Sequence, residues 1–521
     1  MGHFRLTSQR GDSSKRAQGG RTMRGDPIEA EIKLLADGDA AAALARHPAF
    51  AHTQSDERRE RTTYFDTDDL SLRERGLSLR IRKSRDGFVQ TLKRASKNGT
   101  SVGQRDEWEW PVHSEHVAIK PLDEIATRTG VHADAYAHVR PIFVTDIERR
   151  AFALTLDDGA EVEAVVDEGA VLADGREEWL SEVEIELKKG SMASAYRLAL
   201  ELSRTNGWRI GGENKVDRGY RLLLGRPARV EKSRAAPIPD GASVQEALAI
   251  LTVAALDSFV TDSAAAEAGD GEAVHQMRVA LRRLRTVFVL FGPLLEDDAK
   301  ARFNMSIRKI GGVLGAARDW DVSALEIMDD AARDGVSEEL LAPLRVKAAG
   351  KREAAHAAVA RLLKGTQPTQ LVLALEVWIA GGEWRREGAD DTRSTRKALP
   401  HLLDRLLRKV RKRAEGMAER STAELHPLRK SVKKLRFSAE ACTALYGARK
   451  TGMWVKRCKK LQKILGGIND ASMVAAMLDE FATADDLREA LYAWRDARIA
   501  KARDKLVPAW HALEEEKPFW R

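Results

Sequence analysis

The chain has 521 residues, 43% of them apolar, and carries 87 Lys+Arg against 79 Asp+Glu for a formal net charge of +8. That length exceeds one ordinary domain and suffices for two or more cores. The only cysteines, Cys442 and Cys458, lack CxxC spacing, which excludes a disulfide framework and a cysteine-bound structural zinc; no apolar run is expected to approach the length of a membrane span.

Charge is placed unevenly along the chain. Residues 1–26 carry +4, residues 27–240 hold 33 basic and 38 acidic side chains (−5), and residues 241–521 hold 48 and 39 (+9). A basic second half points to an anionic partner, and an acidic first half leaves carboxylates free for metal. The first 26 residues are basic and rich in Gly and Ser without an apolar h-region, so they read as a disordered basic tail rather than a secretory signal, with Met23 just before the ordered pattern.

From Pro27 to about Leu224, short alternating segments dominate: IEAEIKL, LSLRIRK, FVQTLKR, RDEWEWPV, VEAVVDEG and EVEIELKKG. The period of two predicts strands, with helical stretches around Ala40–Ala45 and Ala193–Arg204. Strand parity puts Glu29, Glu31 and Lys33 on one face, Arg80 and Arg82 on another, then Arg105, Glu107 and Glu109, then Glu182, Glu184, Glu186 and Lys188. Apolar residues back these faces, as Ile32 and Leu34, Leu79 and Ile81, Val183 and Ile185. One such strand would turn its charges to solvent. Four of them, mixing Glu with Arg and Lys, predict a shared charged interior, which is stable only if the charges pair, bind metal or bind a polyanion.

The stretch 225–243, with Pro227, Pro237 and Pro239 and almost no periodicity, reads as a linker. From Val244 to residue 521 the text is Ala/Leu/Arg-rich with a helical period. It contains an internal repeat. His275, Arg278, Arg282, Arg283 and Arg285 recur 151 positions on as His426, Arg429, Lys433, Lys434 and Arg436, and Lys309, Gly315 and Asp319 recur as Lys460, Gly466 and Asp470. This predicts a duplicated helical bundle. In each copy a basic stripe lies beside an apolar one: Val274, Met277, Leu281, Leu284 and Phe288, then Leu425, Leu428, Val432 and Leu435. Most of these bases have no acid at i+4, so a polyanion is the expected partner; the histidines lack metal spacing and are expected to donate to phosphate or cap the stripe.

The first half resembles the CYTH superfamily, the triphosphate tunnel metalloenzymes. Glu29-x-Glu31-x-Lys33 matches its ExExK signature, and YFDT at Tyr64–Thr67, LSLRIRK, TLK ending at Lys93, QRDEW, FVTDIERR, VEAVVDEG, EVEIEL and KVDRGY at Lys215–Tyr220 follow in order. The closing KxxRGY is most similar to the bacterial inorganic triphosphatases. The resemblance implies an eight-stranded antiparallel β tunnel over 27–224. It also implies that Lys33, Arg80, Arg82, Lys93, Arg105, Arg149, Lys215 and Arg218 grip a triphosphate, with Arg149 and Arg150 both candidates for the inward position. Glu29 and Glu31, with Asp167, Glu182, Glu184 and Glu186, would hold Mg²⁺ or Mn²⁺, and Glu29, Glu31 and Lys33 would be catalytic.

The second half, 244–521, resembles the CHAD domain through VHQMRVALRRLR with LGAARDWD and LHPLRKSVKKLR with LGGIND. That resemblance implies two four-helix units and a groove for long-chain inorganic polyphosphate, lined by His275, Arg278, Arg282, Arg285, Lys309, His426, Arg429, Lys433, Arg436 and Lys460. The stripes lack interleaved aromatics for base stacking, which disfavours nucleic acid. The expectation is a cytoplasmic α+β protein, not membrane-bound: a metal-dependent inorganic triphosphatase acting on tripolyphosphate, with a polyphosphate-binding helical half. An organic triphosphatase, an adenylate cyclase and a non-catalytic polyphosphate adaptor are the alternatives.

Overall fold

The computed structural model describes residues 31–521 except 52, 86, 95–106, 132, 229, 234–235, 389–391 and 482–484. The expected tail at 1–26, Glu29 and Arg105 therefore lie outside the described residues. The first half is one antiparallel sheet of β1 (Glu31–Leu35), β2 (Ser55–Asp66), β3 (Leu77–Ser84), β4 (Gly87–Arg94), β5 (Glu107–Val112), β6 (Arg140–Thr155), β7 (Glu161–Ala173), β8 (Arg176–Lys189) and β9 (Arg209–Ile210). The order is β5-β4-β3-β2-β6-β7-β8-β1-β9. Among the described residues there are nine strands rather than the expected eight, because β9 adds two residues to the edge of β1. A two-residue strand is too short to show a period of two.

The alternation works as the parity argument requires. Ile32, Leu34, Ala164, Val166, Val183 and Ile185 turn to one side, where they are fully or almost fully buried with Leu198, Ala199 and Leu202 of the helix Met192–Asn206. Each of the Val, Leu and Ile side chains contributes roughly 1.5–3 kcal/mol by leaving water. The charged residues of the same strands are thereby committed to the opposite face.

The second half is helical. Its basic stripes lie on the helices Gly271–Leu290 and Thr422–Ala441, whose apolar stripes enter one continuous core with Leu399, Leu403, Leu461 and Leu465. The repeat also preserves an ion pair: Arg278 meets Asp319 at 3.3 Å and Arg429 meets Asp470 at 3.6 Å. A second, smaller core of Met328, Leu341, Leu344, Leu478 and Leu491 joins the helices Glu338–Lys364, Ala448–Phe481 and Asp485–Arg503.

Two expectations need correction. The helix Val244–Thr261, 18 residues long, does have the length and composition of a membrane span, with half of that window buried inside the fold. The stretch 225–243 is not a free connector either. Ile238 is fully buried in the helical core, the Glu231 amide donates to Asp262 at 2.8 Å, and the Ser233 amide donates to Gln276 at 3.0 Å. A proline-rich stretch without periodicity can still be strapped down by its backbone donors.

Sheet and helices share an interface. The helix Gln367–Ala380 lies against Met192–Asn206, and its Leu373 is fully buried in the core behind the sheet. Arg197 faces Glu383 across this boundary at 3.6 Å.

Candidate active site and cationic helix pair

The charged face of the sheet is built by register. Lys33 stands opposite Glu184 on β8, Glu182 opposite Asp167 on β7, and Asp167 opposite Arg149 on β6. The helix Lys215–Leu224 brings a further lysine to the same place. Lys33 Nζ lies 2.9 Å from Glu184 and 3.0 Å from Glu182, and Lys215 Nζ lies 2.7 Å from Asp167, 2.8 Å from Glu184 and in contact with Glu182. Arg149 donates to Asp167 at 2.7 Å and to Glu184 at 3.3 Å. Arg150 points the other way, to Glu57 at 3.5 Å and Glu168 at 4.0 Å, so Arg149 is the inward arginine.

Three cations thus enclose three buried carboxylates, whose ligand oxygens lie within 4.8 Å of one another. Removal from water raises the energy of every one of these charges, and the pairing offsets it. Burial works against an ionised Glu184, yet Lys33, Lys215 and Arg149 hold its carboxyl well below the usual range; Asp167 is lowered in the same way by Lys215 and Arg149. Burial likewise opposes the Lys215 charge, but Glu184, Glu182 and Asp167 raise its ammonium well above the usual value. Glu31 sits at the edge of the group with 38% of its side chain exposed. Withdrawal from bulk water and the Glu184 carboxylate push its carboxyl up to about 7.

The face continues across the sheet. Arg149 reaches towards Glu60 at 3.9 Å, Arg82 lies 3.8 Å from Glu60 and 3.6 Å from Glu109, and Glu107 receives Lys93 at 2.8 Å and Arg80 at 3.7 Å. Arg80 Nε is buried without a hydrogen-bond partner among the described residues. Lys33, Arg80, Arg82, Lys93, Arg149 and Lys215 therefore share one face. Arg218 lies on the closing helix instead, 3.0 Å from Glu178 on β8. Glu186 has the right parity but is tied to Lys188 at 2.6 Å, apart from the three clustered carboxylates.

Sequence reasoning missed Glu60 and Arg58, an ion pair at 2.8 Å on β2. Their signal was present, since both stand an even number of residues before Tyr64, whose ring stacks on Phe143 at 4.4 Å. Arg221, bonded to Glu178 and Glu213, was missed because helical spacing rather than alternation brings it to Arg218.

The KVDRGY segment has a physical explanation. Asn214 caps the helix by accepting from the Asp217 amide at 2.8 Å, which starts the helix at Lys215. A Cβ on Gly219 would lie 2.3 Å from the Phe143 ring, so only glycine lets the helix approach β6 this closely. The Tyr220 hydroxyl donates to buried Asp66 at 2.6 Å, and Asp66 also accepts the amides of Thr67, Leu72 and Arg73.

In the helical half the two basic stripes form one crowded cationic cluster. Burial lowers the Arg282 guanidinium to about 10, helped by Arg278, Arg429 and Arg436 from both helices. Burial, Arg282 and Arg429 push Lys433 down to about 7. Arg429 Nε and His275 Nδ1 are buried without a hydrogen-bond partner among the described residues, whereas His426 Nδ1 lies 2.9 Å from Asn469 Oδ1. Arg285 is part-buried beside Arg308 and held below its usual value by burial and that neighbour. Like Arg278 and Arg429, Arg436 has an acidic partner, Glu440 at 2.7 Å. Lys309 and Lys460 are exposed.

Comparison with known proteins agrees with this division. Residues 27–220 match the model of the CYTH domain, and residues 253–479 match that of the CHAD domain. An inorganic triphosphatase of Haemophilus influenzae is 27% identical over 167 residues, covering 31% of this chain and 45% of that protein, so the match spans less than half of the curated relative. Among solved structures, the CHAD domain of the plant Ricinus communis is 26% identical, with 55% of this chain and 97% of that one covered and a TM-score of 0.47. A Hippeastrum protein assigned as an adenylyl cyclase, with a dominant triphosphatase activity, is 17% identical, with 38% and 97% covered and a TM-score of 0.28.

Proposed function

This chain joins a CYTH domain to a CHAD domain, and we propose that it is a metal-dependent inorganic triphosphatase that hydrolyses tripolyphosphate to diphosphate and phosphate and binds inorganic polyphosphate through its helical half. The division is 27–224 for the triphosphatase and 244–521 for the polyphosphate module, with 225–243 between them. Two free, buried cysteines accord with a reducing compartment, and the reading is a cytoplasmic protein.

The observation that carries this reading is the convergence of Lys33, Lys215 and Arg149 on Asp167, Glu182 and Glu184. CYTH proteins are metal-dependent, and the clustered carboxylates offer the hard oxygen ligands that Mg²⁺ or Mn²⁺ prefers. Asp167, Glu182 and Glu184 would hold the ion, with Glu31 of β1 and, as the sequence motif suggests, Glu29. Such an ion supplies charge neutralisation at the phosphate oxygens. The cations now engaged by carboxylates would turn to those oxygens: Lys33, Lys215 and Arg149 at one end, Arg80, Arg82 and Lys93 along the sheet. Water then attacks the terminal phosphorus in line and the bond to the diphosphate oxygen breaks. The face contributes by fixing the chain and stabilising the charge that builds on it.

The test is product analysis of the full chain incubated with tripolyphosphate and Mg²⁺. Equal amounts of phosphate and diphosphate are expected, and none with EDTA. A chain that binds tripolyphosphate without releasing phosphate would be an adaptor, and the reading would fall.

A further inference from the structure

The segment Arg209–Gly212 links the two halves to the site. On the helical side, Arg209 donates to Glu267 at 3.0 Å and to the Leu363 carbonyl at 3.3 Å, and the Ile210 amide donates to Thr369 Oγ1 at 2.9 Å. Thr369 is itself only 3% exposed. On the sheet side, the Gly211 amide donates to the Lys33 carbonyl at 3.0 Å, and the place of a Gly211 Cβ lies 3.5 Å from Lys33 Cγ. Gly212 is pressed against the last turn of Val244–Thr261, so that a Cβ there would lie 2.2 Å from the Val260 carbonyl oxygen. Asn214, which caps the helix carrying Lys215, follows two residues later.

We propose that Gly212 and Thr369 are positioning residues: the helical half, through Thr369 and the Val260 carbonyl, fixes where Lys33 and Lys215 stand in the charged face. The argument is one of short, rigid connection. Lys215 is three residues from a glycine that has no room to move towards the helices, and Lys33 shares a backbone hydrogen bond with the residue between the two contacts. A displacement of about 1 Å at such groups costs turnover on the order of 100-fold. The helical half is then a structural part of the sheet's site as well as a module of its own.

The experiment uses the full chain with Gly212→Ala, Thr369→Val and, as a control at the same interface, Arg197→Ala. Thr369→Val keeps the shape and removes the acceptor, so it stands in if Gly212→Ala fails to fold. The activity arm rests on the triphosphatase reading. There, kcat should fall about 10- to 100-fold for Gly212→Ala and several-fold for Thr369→Val, with KM moving less than about threefold. Arg197→Ala should leave both unchanged. In a Lys215→Ala background Gly212→Ala should cost less than in the wild-type chain, because part of its effect acts through Lys215. The second arm is hydrogen exchange by mass spectrometry, expected to rise in peptides covering 31–35 and 209–218 while β6 and β7 stay protected. Wild-type kcat and exchange in both variants, or a full additive loss in the Lys215→Ala background, would overturn the proposal. If the wild-type chain releases no phosphate, the functional reading fails, and the exchange arm alone decides the positioning.

Discussion

At Gly219 the constraint is a single missing atom: Phe143 Cε2 would lie 2.3 Å from a Cβ and cannot retreat, being stacked on Tyr64. Gly219→Ala is expected to destabilise the chain by about 1–3 kcal/mol and to lower turnover by moving Lys215; a thermal melt and a rate assay check the two together. Glu31→Gln preserves volume and removes one ligand charge. Turnover should fall about 100-fold with the fold intact, and the same is expected of Glu29→Gln; near-normal hydrolysis by the double variant would remove both from the site. Lys433 titrates near neutrality because burial and the surrounding arginines hold it at about 7. Below that pH the crowded charge is present and destabilises the free protein, and the penalty is relieved as pH rises from 7 towards the ordinary lysine value. Polyphosphate affinity should therefore fall between pH 6 and 9, and Lys433→Arg, which stays charged, should flatten that curve. A binding titration at fixed salt across this range checks it.

At the scale of elements, alternation made most of the sheet legible. Lys33, Arg80, Arg82 and Glu184 could be assigned to the charged faces of their strands from parity, since a half-buried strand has only two faces to choose from, whereas Lys93 was named only by the resemblance. Parity does not tell how far along a strand the site extends, which is why Glu186 joins the right face and misses the cluster. Nor does it apply once the chain turns helical, as it does at Lys215, so Arg218 could be named but its pairing with Glu178 of β8 could not. The basic helices were legible through their repeat. Replacing Arg278, Arg282 and Arg285 by Glu should weaken polyphosphate binding severely, and so should Glu at Arg429, Lys433 and Arg436, with little change in helical circular dichroism. Affinity of the wild-type chain should fall steeply with salt as bound phosphates displace counterions. Either triple reversal binding as well as wild type would dismiss the cluster as the binding surface.

The whole molecule is held together by contacts that no period in the sequence announces. Leu373 of a helix in the second half is buried in the core of the first, and beside it Glu376, 7% exposed, lies near Asp257 and Tyr196. Burial and the Asp257 charge push the Glu376 carboxyl up to about 8. An acid raised in the folded state binds more protons than the unfolded chain between pH 4.5 and 8, so stability falls as pH rises through that window. Glu376→Gln should remove most of that slope and raise the melting temperature at pH 8 more than at pH 5.

The central claim is that the charged face is built for a bare triphosphate chain. The measurement that tests it most directly is kcat/KM of the full chain for tripolyphosphate, thiamine triphosphate and ATP, side by side with Mg²⁺. If the cations Lys33, Arg80, Arg82, Lys93, Arg149 and Lys215 are there to grip phosphate oxygens along the face, tripolyphosphate should exceed ATP by at least about 100-fold, about 2.7 kcal/mol of discrimination. Comparable values for ATP or thiamine triphosphate, or cyclic AMP among the products, would contradict it.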